Sequence, residues 1–190
     1  MRVRTLEAFA MTLALLAPVA AHAGWRDVAS SYDQGRIARL GQARSEAMAD
    51  SGGMSGVQEA MGAAVVSPGG LAGNYRCRTI KLGGVMPSIA YTWHHCRIAD
   101  QGGRLVFEKL DGTQRMAGAL YPEGDGYVYL GASWVKGEPR HRYSGPGASV
   151  GAHATPDDQA GMLYATSRGA RIELPYPVQE STFDVIELRR

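Results

Sequence analysis

The residues with the most chemical promise are His94-His95-Cys96, where two imidazoles and a thiol adjoin. Imidazole and thiolate ligate zinc and take part in nucleophilic catalysis. Adjacency works against both uses if the segment is extended, because neighbouring strand residues point to opposite faces. His94 and His95 then do not converge easily on one ion. Cys96 has one possible covalent partner, Cys77, since the chain holds 2 cysteines. A Cys77–Cys96 disulfide is the expectation; buried free thiols, or ligands beside His94 and His95, are the alternatives. His141 and His153 precede Asp157 and Asp158, but in no spacing that matches a zinc site. No metal and no cofactor is assigned.

Nucleophilic chemistry is no better marked. There is no G-x-S-x-G turn, and Ser144-Gly145-Pro146-Gly147 lacks both the strand-to-helix context and the lysine of a phosphate loop. Glu108 and Glu173 fall in separate predicted strands and form an acid–base pair only in principle. A hydrolase using His94 or His95 is the enzymatic alternative, with no catalytic residue assigned. The leading reading is non-enzymatic binding, to an envelope protein or a small molecule. Arg76 and Arg78 flank Cys77 on one strand face and suit an acidic partner. Glu108 is the acid expected to pair with one of them. Tyr127 and Tyr129 share a face beside Tyr121 and suit a contact surface. His141 and Tyr143 of the 135–160 stretch complete the expected binding set.

These side chains must be held by elements that the periodicity reveals. Over residues 25–50 the apolar positions Val28, Tyr32, Ile37, Leu40 and Ala47 follow a helical stripe, capped by Ser31 or Asp33. A second short helix follows Ser55, with Val57, Met61 and Val65 on one face. After Gly73 the period becomes two. Strands are predicted over 74–81, 90–98, 104–110, 115–121, 127–134, 162–166, 171–174 and 184–188, mostly joined by short turns such as Asp111-Gly112. About eight antiparallel strands in a meander predict a barrel or strongly curled sheet, mainly β, preceded by a helical segment. Leu105 and Phe107, Met116 and Leu120, Val128 and Leu130, Ile172 and Leu174, and Ile186 and Leu188 are the expected inward pairs. An interior so filled leaves little room for a large ligand. Residues 135–160 contain four Gly and three Pro without periodicity, either a flexible excursion or a binding loop.

Composition sets the surroundings. The chain has 190 residues, 45% hydrophobic and 20% charged, a globular balance. Arg2 and Arg4 precede the apolar run Ala10 to Ala20, and Ala21-His22-Ala23 offers a small-x-small cleavage pattern. An apolar run of this length spans roughly 16 Å as a helix, too short for a bilayer core of about 30 Å. Residues 1–23 are therefore expected to be a signal peptide. The mature chain is expected in the periplasm or secreted, without a transmembrane anchor. Net charge is +2, and removing Arg2, Arg4 and Glu7 leaves +1, with basic residues scattered among acids. That excludes an electrostatic footprint for nucleic acid. Residues 24–69 are the expected helical segment and 70–190 the β domain.

Several segments carry a resemblance. Gly73-Asn74-Tyr75-Arg76-Cys77-Arg78-Thr79-Ile80-Lys81-Leu82-Gly83 is the most specific. Cys96-Arg97, the run from Phe107 to Arg115, Gly118-Ala119-Leu120-Tyr121 and Asp184-Val185-Ile186-Glu187-Leu188 accompany it. Together they resemble an exported proteobacterial family, domain of unknown function 4893, over most of the mature chain. The resemblance implies an envelope protein and brings no activity with it. The Gly- and Ala-rich second helix and the 135–160 stretch depart from the family pattern. At the level of fold, Gly73-Asn74-Tyr75 is similar to the G-x-W entry of calycin barrels. Exported barrels with one disulfide include inhibitors of proteases and lysozyme, which makes an inhibitor-like role one form of the binding reading. A small-molecule carrier with an apolar cavity is the other.

Overall fold

The computed structural model describes residues 23–51, 55–147 and 157–190. The signal peptide expected over 1–23 falls outside the described residues except for Ala23, as do His153 and the middle of the 135–160 stretch. Four helices come first: α1 (Trp25–Val28), α2 (Ser31–Ala38), α3 (Leu40–Asp50) and α4 (Ser55–Gly62). Nine strands follow: β1 (Gly73–Leu82), β2 (Ser88–Ala90), β3 (His94–Asp100), β4 (Leu105–Lys109), β5 (Gln114–Glu123), β6 (Gly126–Val135), β7 (Asp158–Thr166), β8 (Gly169–Pro175) and β9 (Phe183–Arg189). Every strand pairing is antiparallel, and β1 pairs with β9 as well as β3, so eight strands close into a barrel. The short β2 is an extra strand on the far end of β1, in line with β3.

The single helix expected over 25–50 is three. Ser30, not Ser31 or Asp33, caps α2: its hydroxyl accepts a hydrogen bond from the Asp33 amide at 3.1 Å. Arg39 marks a second break, its amide bonded to the Arg36 and Ile37 carbonyls. The breaks let an otherwise straight rod follow a curved wall.

Residues paired directly across antiparallel strands face the same side, so register identifies the interior. Tyr75, Cys77, Cys96, Ile98, Phe107, Leu120, Tyr129, Leu163, Ile172 and Ile186 form one buried cluster, the barrel core. A second cluster joins Trp25, Ile37, Leu40, Ala43, Ala47 and Val57 to Ile80, Val128, Leu130, Met162 and Val185 on the outer wall. The helices thus cover the wall on the side of β6–β9 and β1. There both strand faces are buried, as β9 shows with six consecutive buried residues. The outer face of β3 stays wet, and burial alternates along it.

This cover explains the inverted strand. Four of the expected inward pairs do face inward, but Val128 and Leu130 lie outside, beneath the helices. Tyr129 is fully buried inside and Tyr127 packs partly buried against the same core, so neither forms the exposed surface expected. Alternation gives the phase of β6 but cannot rank its two faces when both are apolar. The Tyr129 ring meets Phe107 edge-on at 5.9 Å and lies across the facing pair Gly118 and Gly131, where any Cβ would collide with it. Its hydroxyl has no hydrogen-bond partner among the described residues.

Cys77 and Cys96 form a disulfide inside the barrel, between adjacent β1 and β3. The bridge closes a loop with a sequence separation of 19. Reduction should lower stability by about 3 kcal/mol on the chain-entropy model; urea midpoints with and without reductant measure this. Gly131→Ala should cost about 1–3 kcal/mol, because an overpacked core must displace the Tyr129 ring or the Ala117 carbonyl. An unchanged denaturation midpoint for that variant would contradict the glycine platform.

Candidate functional site at the barrel mouth

The interior is apolar through most of its length and turns polar at one end. On β1 the inward phase of Tyr75 and Cys77 continues to Thr79 and Lys81; on β4 the phase of Phe107 ends on Lys109; on β9 the phase of Leu188 and Ile186 begins at Asp184. Ser133 of β6 and Gln159 of β7 complete the ring. Together these residues line a recess of about 70 Å³. That is room for about five waters or a ligand of similar size.

Closure of the sheet sets the electrostatics. The β1–β9 pairing places Lys81 directly opposite Asp184. Lys81 also forms an ion pair with Glu180 at 2.6 Å. Burial works against the Lys81 charge, yet the Glu180 hydrogen bond and the field of Asp184 raise its pKa overall. Asp184 is 6% exposed and accepts a hydrogen bond from the Ser181 hydroxyl at 2.6 Å. Burial outweighs that bond and the nearby Lys81, raising Asp184 to about 6.

Lys109 has no such support. It is 8% exposed and forms no hydrogen bond or ion pair among the described residues. Burial lowers its pKa and Arg115 adds to the effect, against the attraction of Asp111. Arg115, at the rim of the same recess, has no acidic partner among the described residues either. Three cations and one carboxylate therefore line the recess, with Glu180 outside it neutralising part of the Lys81 charge. The wall above is the β8–β9 connection, whose Pro177 and Gln179 line the recess. Its Tyr176 and Glu180 hold positive φ of 44° and 70°. Such non-glycine conformations cost on the order of 1–3 kcal/mol each and concentrate at binding and catalytic sites.

The residues singled out from the sequence are distributed elsewhere. His94 faces inward and His95 outward, as adjacency implies, but Asp111 reaches both, with Nδ1–oxygen distances of 3.1 and 2.6 Å. The His95 hydrogen bond holds the Asp111 carboxyl down at about 2. No cluster of three or more His, Cys, Asp or Glu able to hold a metal is present among the described residues. Arg76 and Arg78 do share the outer face of β1, where with Arg189 they surround Trp93 at 5.6, 4.7 and 4.8 Å. Their expected partner Glu108 instead binds Arg97 and Arg140, and Arg78 pairs with Glu187 at 2.8 Å. Glu108 and Glu173 lie on opposite sides of the barrel and make no acid–base pair; Glu173 is buried under α3 between Arg44 and Arg171.

Tyr143 and His141 are also occupied. The Tyr143 hydroxyl donates to Asp33 at 2.5 Å and accepts from the Ser30 amide at 2.9 Å. Asp33 in turn binds Arg36 at 2.6 Å, both fully buried, and Arg36 reaches the Asp158 carbonyl. This network fastens α2 and the start of the 135–160 stretch to β7. His141 pairs with Asp157 at 3.2 Å. The barrel axis is filled, and the large apolar groove, of about 660 Å³, lies open at the opposite end beside Trp25, Leu105 and Tyr127.

The mouth residues were missed, although their signal was present. Lys81, Lys109 and Asp184 each continue the inward phase of an apolar strand at the same barrel end. Asp184 has a measurable consequence. Its carboxyl keeps a proton in the folded protein to a higher pH than in the unfolded chain, near 3.9. Its contribution to stability is thus full below about pH 4 and disappears as pH rises through about 6. The gap corresponds to about 3 kcal/mol. Asp184→Asn should flatten this part of the pH profile of urea stability; parallel wild-type and variant profiles would contradict it.

No curated protein and no solved structure matches the chain. A family model described as a domain of unknown function, DUF4893, matches residues 25–188. That span runs from the buried Trp25 of α1 to Leu188 near the end of β9, and so takes in the helical cover together with the whole barrel. The chain belongs to the DUF4893 family.

Proposed function

We propose that the protein is a non-enzymatic, exported binding barrel that takes a small anionic ligand at the polar mouth. The observation that carries this reading is Lys109, whose stem is buried and whose ammonium opens on the recess without a hydrogen bond or ion pair among the described residues. An ammonium that opens on the recess without a paired acid is placed to meet an anion that enters it, and attraction there is less screened than in open water. Arg115, also without an acidic partner among the described residues, adds a second attraction at the rim. The recess fits a ligand of few heavy atoms, which favours this reading over a carrier of large apolar molecules. Export is supported by the leader pattern of residues 1–23 and by the disulfide, which forms and persists in oxidising compartments.

The test is calorimetric titration of the purified mature chain with acetate, inorganic phosphate and pyruvate. Saturable binding that weakens with added salt is expected for at least one of them. Lys109→Met, which keeps the volume and removes the charge, should abolish binding and raise the unliganded melting temperature. Absence of saturable binding to all three, or full binding by the Met variant, would rule the reading out.

A further inference from the structure

Resting on that reading, we propose that Lys109 is a nucleophilic amine that captures a small 2-oxo acid reversibly as an imine. The geometry supplies each part. Lys109 lines the recess with no hydrogen bond or ion pair among the described residues to hold its amine as an ammonium. A lysine becomes nucleophilic when it is desolvated and set beside another cation. Lys109 meets both conditions, being 8% exposed and next to Arg115, and its pKa is lowered accordingly. Arg115, at the rim with no acidic partner among the described residues, suits the ligand carboxylate, since guanidinium matches carboxylate geometry. The carbonyl carbon of the same small molecule then lies towards the amine.

Imine formation needs a proton carrier, and solvent that reaches the open recess supplies it. The neutral Lys109 amine attacks the carbonyl carbon, forming the C–N bond. The carbonyl oxygen collects the two protons lost from nitrogen, carried by solvent water, and leaves as water. The product is an imine and one water. Nothing is oxidised or reduced, and hydrolysis reverses the step.

The experiment is reductive trapping. Mature protein is incubated with pyruvate and sodium cyanoborohydride, and the chain's three lysines, Lys81, Lys109 and Lys136, are compared by peptide mass spectrometry. The expected result is a reduced pyruvate adduct on Lys109, at least tenfold faster than on Lys136. Lys109→Arg keeps the charge and should still bind acetate while losing the adduct. Equal labelling of Lys109 and Lys136 would overturn the proposal. So would saturable pyruvate binding without a Lys109 adduct, an outcome that leaves the anion site standing. Failure of acetate, phosphate and pyruvate all to bind would instead remove both.

Discussion

Closure between the first and last barrel strands is the constraint on which the other features depend. Seven residue pairs from Arg76–Arg189 to Leu82–Phe183 join β1 to β9. An open sheet of these strands would expose two long edges, whereas closure satisfies the backbone and creates an inside. The same register fixes which end is polar. Lys81 stands opposite Asp184 only because Cys77 stands opposite Leu188, four positions along the same seam. The disulfide reinforces the other side of β1, so this strand is tied on one edge by backbone bonds to β9 and on the other by sulfur to β3.

Within that frame the mouth is a place where local and global requirements disagree. Burial at this end of the packed interior lowers the Lys109 pKa and raises that of Asp184. Elsewhere the buried networks pair their charges, although Nη2 of Arg78 and of Arg189 lacks a hydrogen-bond partner among the described residues. Arg36 and Asp33 bind each other and four further groups, and Glu173 lies between two arginines. The contrast separates two uses of buried polarity. The Arg36 network joins elements, and each of the three guanidinium nitrogens donates. The Lys109 ammonium is bonded to no other group among the described residues.

Much of this was legible in the sequence, for identifiable reasons. Strands with one wet face, such as β3, announce themselves by alternation, and the Cys77–Cys96 bridge by there being no other cysteine. The inversion of Tyr129 was not legible, because β6 is apolar on both faces and which face meets the helices is a tertiary matter. Nor was Tyr143, whose phenol reads as a surface group until Asp33 and Ser30 are brought to it from more than a hundred residues away. The mouth lies between these cases. The phase of Lys109 follows from Leu105 and Phe107, but its lack of a partner depends on which side chains surround it in space.

The two-sided burial of β6–β9 has a consequence for how the chain can vary through descent. A substitution on the wet stretch of β3 disturbs one packing surface. On β9, neighbouring positions serve the barrel core and the helix-covered wall in turn, so drift in the strand must satisfy two interiors at once. Divergent descendants should therefore keep the covered half of the wall nearly intact and spend their variation on the uncovered half.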